Sequence, residues 1–478
     1  MTRLSRRGFL RGSGALTALG GTGLLGLMAN RAAHAADTSG YKAIVCVFLY
    51  GGMDQFDTLL PTDEASYQAL RDVRGPFLDR YDAQAGGSSR ARDAILTLNP
   101  ENAVDFGGRG FGLPRELAGL HGLFEAGNAA IVTDVGPLIE PASRDAIESG
   151  RVRIPDRLFS HNDQQSTWMS LGTEGTQFGW GGLMASHAAQ SAPSENSAFS
   201  AISTTGNQVF LSGDTVRQYS APVGGSSGIA YLGEEWLLGY NEGSDEARRL
   251  LDQHLRGLDV DPASLFRADI LDMGNRAVEI DRQFREAYAL RPEFRTPEPD
   301  SNWLAFQLRT VAEMIAVQNT LNVSRQVFLV GIGGFDTHSN QAGDMPYLHG
   351  QISEGLVYFA QLLNEIGRFN DVVTFTASEF GRTLLVNGDG TDHGWAGHQF
   401  VMGGPVRGRR IYGDVADYDL DSQRYWESGG RPVPTTSVDQ FAATLGRWFG
   451  LNNGELAEIF PNLANFDTAD LGFMGVSV

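Results

Sequence analysis

The feature that most constrains this chain is a set of short, unbroken apolar runs, most of which stop at glycine. Tyr41 to Tyr50 ends in Gly51-Gly52, Ala129 to Val135 in Gly136-Pro137, and Gln326 to Ile332 in Gly333-Gly334. Val372 to Thr376 and Gln399 to Met402, the latter before Gly403-Gly404, repeat the pattern. Runs this short, with no polar alternation, read as strands covered on both faces. Helical periodicity lies between them, over Trp303 to Gln318 and over His349 to Arg368, where Ile352, Leu356, Phe359, Leu362, Leu363 and Ile366 recur at three- and four-residue spacing. Near the end, Ser437-Val-Asp-Gln440 forms a capping box that opens a helix through Phe449, with Gly450 as its stop. Buried strands alternating with helices imply an α/β fold, a three-layer α/β/α sandwich around a mostly parallel sheet.

The first 35 residues read as an address rather than as structure. Ser5-Arg6-Arg7-Gly8-Phe9-Leu10 precedes an apolar, Gly-rich run from Leu16 to Ala29, and Ala33-His34-Ala35 offers a small-x-small cleavage site. The order resembles a twin-arginine export signal, so the translocase is an expected partner during export and the mature chain is expected in the periplasm or secreted. The leader carries five Arg and no acid, which leaves 32 basic against 57 acidic residues, or −25. That balance argues against nucleic acid as a partner, since such binding rests on Lys and Arg neutralising phosphates. A single cysteine, Cys46, excludes a disulfide framework and any thiolate metal site. Residues 36–478 are expected to form one domain carrying an irregular and then helical insertion over about 190–300, where Gly, Ser and Thr accumulate before a Pro-punctuated connector. The oligomeric state is not legible.

Polar residues gather where the apolar runs end. The first run leads into Met53-Asp54, the third into Phe335-Asp336-Thr337-His338, and the fourth into Ser378-Glu379-Phe380-Gly381-Arg382. The segment Asp392-His393-Gly394-Trp395-Ala396-Gly397-His398 follows. In an open α/β sheet the ligand crevice lies outside the carboxyl ends of the strands, so these groups share one edge. Four of the eight mature histidines, His161, His338, His393 and His398, occupy such settings. Asp, Glu and His without Cys suit Zn, Mn, Mg or Ca, one or two ions. Each piece also has a plainer role: Asp54 as a helix cap, Glu379 and Arg382 as an ion pair. Ser160, in Phe159-Ser160-His161-Asn162-Asp163-Gln164-Gln165, suits either a helix cap or a nucleophile at a helix N-terminus.

Together, Gly51-Gly52-Met53-Asp54, Ser160 to Gln165, Gly179-Trp180-Gly181-Gly182, Gly333 to His338, Ser378 to Thr383 and Asp392 to His398 resemble the bacterial family called domain of unknown function 1501. That family is related to the sulfatases and the alkaline phosphatase superfamily. The resemblance spans essentially the whole mature chain and implies an alkaline phosphatase- or sulfatase-like fold. It further implies a metal shell of Asp54, Asp336, His338, Glu379, His393 and His398, with Ser160 as nucleophile and Arg382 steadying a phosphoryl or sulfuryl group. Three departures stand out: Glu379 replaces the usual late Asp, Asp336-x-His338 is more tightly spaced than the superfamily pattern, and no Cys-x-Pro-x-Arg signature exists. The last excludes a formylglycine-type sulfatase. The expected function is therefore an exported metal-dependent hydrolase acting on an anionic phosphate or sulfate ester. The alternative is a non-catalytic binding or matrix protein, partnered by an extracellular polymer, that keeps a structural metal. For a redox enzyme, the mature chain lacks a dinucleotide fingerprint.

Overall fold

The computed structural model describes residues 35–84, 88–225, 265–427 and 429–475, with isolated positions between 246 and 253. Most of the proposed leader and most of residues 226–264 of the proposed insertion lie outside the described residues.

A nine-stranded sheet organises the chain. Its strands are β1 (Lys42–Leu49), β2 (Ala129–Gly136), β3 (Ala201–Ser203), β4 (Tyr219–Ser220), β5 (Arg325–Ile332), β6 (Val372–Ala377), β9 (Gly397–Met402), β10 (Ile411–Tyr412) and β11 (Thr436–Ser437), while β7 (Arg382–Val386) and β8 (Thr391–His393) form a separate hairpin. The spatial order is β10-β2-β9-β6-β1-β5-β3-β4, with β11 also pairing β2. Every neighbouring pair is parallel except those of β9, which runs antiparallel to both β2 and β6. The sheet is thus mixed but mostly parallel, as its unalternated apolar runs predict. Strand β1 is central, paired with β5 on one side and β6 on the other.

Side-chain alternation along β1 shows why the run is apolar throughout. Ala43, Val45, Val47 and Leu49 enter one buried cluster with residues of α6 (Trp303–Ala316) and α7 (Gln341–Glu365). Ile44, Cys46 and Phe48 enter a second cluster on the opposite face, with α4 (Trp180–Ser191) and α8 (Val438–Phe449). The capping box at Ser437 and Gln440 forms as predicted, and Gly450 closes that helix at φ 119°. Helix α7 begins at Gln341, eight residues earlier than its apolar periodicity suggests, because its first turns pack polar residues beneath the strand-end loops. Between residues 190 and 300, Ala201–Ser203 pairs with β5, Tyr219–Ser220 extends the sheet beyond it, and α5 spans Leu265–Tyr288. Among the described residues, no helix is long and apolar enough to cross a membrane.

Candidate metal centre

The loops after β1, β5 and β6 meet at one edge of the sheet, locked together by a buried cation. Arg382 is fully buried and donates from Nε to Gly52 O (2.8 Å), from Nη1 to Thr391 O (3.1 Å), and from Nη2 to Gly51 O, Phe335 O (2.7 Å) and Asp336 Oδ1 (2.7 Å). Gly51 is required here: its φ is 121°, and a Cβ would lie 2.3 Å from Asp336 N. Its own N–H donates to Glu379 Oε1 at 2.9 Å.

Three imidazoles converge above this clamp, and each has its tautomer fixed from behind. His161 opens α3 (His161–Ser170), and its Nδ1 lies 2.8 Å from Glu379 Oε1. His393 Nδ1 lies 2.8 Å from Phe159 O, and His338 Nδ1 lies 3.2 Å from Asp392 Oδ1. A carbonyl or an ionised carboxylate only accepts, so all three Nδ1 atoms carry the proton and donate. The three Nε2 atoms are left facing inward around Asp336. His338 Nε2 and His393 Nε2 are 2.9 Å apart, each 3.1 Å from Asp336 Oδ1, and His161 Nε2 lies 3.4 Å from Asp336 Oδ2. Two bare nitrogen lone pairs repel at 2.9 Å unless a proton or a metal ion sits between them. Imidazoles oriented by acceptors on the far nitrogen are the arrangement that metal-ligating histidines adopt. The donor set therefore fits a divalent ion. His161, Asp336 and His393 lie close enough for each to offer one atom to a single ion.

The electrostatics follow the contacts. Partial burial works against ionised Asp336, yet the Arg382 hydrogen bond and charge hold its carboxyl down at about 2. The hydrogen bond to Glu379 raises His161, and burial lowers His393. The backbone that brings Phe159 O to His393 is strained: Phe159 has φ 71° and Arg157 φ 53°, both outside the region favoured by side chains of this kind.

The predicted residues part ways here. Asp336, His338 and His393 come together as expected. Glu379 is fully buried, and its Oε1 accepts from Gly51 N, His161 Nδ1 and Gln165 Nε2 (3.0 Å), so it orients a ligand-type histidine from behind. Asp54 takes the helix-cap role and not the ligand role. It caps the short helix α1 (Gln55–Thr58) through Phe56 N, while its Oδ2 accepts from Arg74 Nη1 and Gln341 Nε2, both at 2.7 Å and fully buried. His398 also goes elsewhere: its Nδ1 accepts from Asp134 N (3.1 Å), and burial drives it down to about 3. The bond from Asp134 of β2 turns the His398 ring into the sheet, away from the cluster. Arg382, with its guanidinium sealed among carbonyls, does not reach an anion at the surface. The residue missing from the expected shell is His161. Its signal was the same polar, loop-side setting that singled out His338.

Ser160 immediately precedes α3 but makes no side-chain capping bond. Its hydroxyl donates instead to Asp163 Oδ2 at 2.8 Å, and Arg157 Nη1 lies 3.3 Å from the other oxygen. The Gly179-Trp180-Gly181-Gly182 motif serves packing: a Cβ on Gly179 would lie 2.1 Å from Val209 O, and Trp180 is buried against Phe210.

Over residues 41–458 the chain matches the family described as "Protein of unknown function (DUF1501)". It belongs to that family. No curated protein matches this DUF1501 chain. Among solved structures it is similar to Ps i-CgsB in complex with k-i-k-neocarrahexaose, at TM-score 0.34 and 11% identity, covering 89% of this chain and 76% of that one. It is also similar to the lipoteichoic acid synthase LtaP from Listeria monocytogenes (TM-score 0.31, 10% identity, 90% and 77% covered). A third is the PsFucS1 sulfatase from Pseudoalteromonas sp. (TM-score 0.29, 10% identity, 92% and 71% covered). A likeness this slight carries no chemistry across.

Proposed function

We propose that this DUF1501 protein is an exported, metal-dependent hydrolase of phosphate or sulfate esters, built on a three-layer sandwich of the alkaline phosphatase kind and acting in the periplasm or outside the cell. The observation that carries the reading is the set of three Nδ1-anchored imidazoles whose Nε2 atoms converge on Asp336. His161, Asp336, His338 and His393 would hold the ion, and three nitrogen donors favour Zn over Mn, Mg or Ca. A bound divalent ion supplies Lewis-acid polarisation of the ester and neutralises charge on the departing oxygen. The chain's own residues do the rest. Ser160 Oγ attacks phosphorus or sulfur, and Asp163 Oδ2, already its acceptor at 2.8 Å, takes the proton and passes it to the departing ester oxygen; water then displaces the seryl oxygen from phosphorus or sulfur, and one of its protons returns to Ser160 Oγ. Arg157, exposed beside Asp163, replaces Arg382 as the cation facing the anionic group.

The second reading, a non-catalytic protein that binds an extracellular polymer around a structural ion, is favoured by the internal duties of Arg382 and Asp54. One experiment separates the two. Metal per chain is measured by plasma mass spectrometry on untagged protein, beside His161→Ala and His393→Ala, and aryl phosphate and aryl sulfate hydrolysis is followed with and without Ser160→Ala. About one ion per chain, lost in both histidine variants, with ester turnover lost in the serine variant, supports the hydrolase. Metal without turnover moves the conclusion to the binding protein. Folded protein that takes up no Zn, Mn, Mg or Ca refutes both.

A further inference from the structure

Helix α3 carries His161 at its first turn, and its other end borders a different site. A cavity of about 130 Å³ lies between Leu138 and Ile139 after β2, Pro155, Leu171 at the end of α3, Asp439 and Asn462. Its walls are largely apolar, yet Asp439, only 1% exposed, lines it as the second residue of α8. Asn462 hydrogen-bonds the Asp439 carboxyl, while Oδ1 has no partner. Among the described residues, no Lys, Arg or His forms an ion pair with it. An acid in a first turn answers the helix dipole, but the usual such acid faces water. This one bears the cost of burial, which pushes its pKa up to about 7. A buried, half-satisfied carboxylate bordering a cavity leaves one strong acceptor for whatever enters.

We infer that this cavity is a binding site for a small primary alkylammonium ion. The ammonium donates to Asp439 Oδ1, and an alkyl chain lies against Leu138, Ile139, Pro155 and Leu171. Asp156, exposed at the same cavity, adds a second negative charge that favours entry of a cation. The volume approaches the ~150 Å³ of a cavity that holds benzene, which suits a chain of about four carbons. A neutral alcohol could donate to Oδ1 but would leave the charge uncompensated.

The test uses the full chain and isothermal titration with n-butylammonium, with n-butanol as the uncharged match. Butylammonium should bind one to one, and Asp439→Asn should weaken it at least 10-fold. Butanol should bind at least 10-fold more weakly than the amine. Thr173→Trp, placed at an exposed position lining the cavity, should block binding by filling the space while leaving Asp439 in place. His393→Ala should bind as the natural chain does, so the result stands whatever the fate of the metal reading. No binding to the natural chain, equal binding of amine and alcohol, or unchanged binding in Thr173→Trp would overturn the inference.

Discussion

Asp54→Asn is the substitution that separates a metal ligand from an internal strut. Both Asp54 and Arg74 are fully buried, 2.7 Å apart. Breaking such a pair by neutralising one partner costs about 3–5 kcal/mol, because the other charge stays behind without compensation. Two features pull the expected cost to about 3 kcal/mol, the lower end of that range. Arg74 keeps its bonds to Thr383 O and Leu384 O, and its guanidinium still lies over Phe56 at 5.0 Å. Asparagine also retains an oxygen for Phe56 N, so the helix cap survives. With an unfolding entropy of about 2.1 cal/mol/K per residue, a chain of this length should lose about 3 °C in its melting midpoint. The control is Asp79→Asn, which removes the solvent-facing Arg71–Asp79 pair and should cost under about 1 kcal/mol. Thermal unfolding and metal content are measured on the same samples. A destabilised variant with full metal content bears the reasoning out. A variant as stable as the natural chain that has lost its metal refutes it and returns Asp54 to the ligand shell.

Other substitutions probe the same edge of the sheet. Glu379→Gln should weaken metal binding by about 10–100-fold in chelator competition, since it removes the carboxylate that orients His161. Gly51→Ala should cost more than about 2 kcal/mol and abolish metal uptake, because its Cβ meets Asp336 N at a φ that disfavours side chains; denaturation together with metal analysis checks both. Asp439 has a folded pKa of about 7 against an ordinary 3.8, so the stability it contributes is present below about pH 4 and is lost as pH rises through 7. Asp439→Asn should therefore gain stability relative to the natural chain between pH 5 and pH 8 in melting scans. His398 behaves in the opposite sense: held down at about 3 from 6.5, it contributes stability above pH 6.5 that is lost on acidification towards 3. His398→Gln should flatten the acid limb of the same scans.

The strands were legible because burial on both faces leaves no polar alternation, and β1, β2, β5 and β6 fall within a residue or two of their apolar runs. The direction of β9 was not legible, since an apolar run of four to six residues carries no sign of which way it points. Short edge strands such as Tyr219–Ser220 are too brief to show a period at all. At the candidate site, position after a strand singled out Asp336 and His338, and the clustering of Asp392, His393 and His398 singled out His393, three residues that the fold brings together. Such signals could not distinguish an acid that faces a ligand from one that meets a buried arginine, because Arg74 is distant in the fold's logic though near in sequence to Asp54. Glu379 and His161 show the same limit: the bond between them spans 218 residues, and only the folded chain shows which of the two stands behind the other.

The central strand of the sheet is also the earliest. Strand β1 waits for partners that begin roughly 280 and 330 residues later, at Arg325 and Val372. At about 5–20 residues per second of synthesis, its apolar backbone stays without a parallel neighbour for some tens of seconds. The candidate ligands are spread in the same way, from His161 to His393, so the centre cannot assemble on a half-made chain. The centre is therefore a late product of synthesis, complete only once His393 has been added to a chain that has carried its central strand for most of its length.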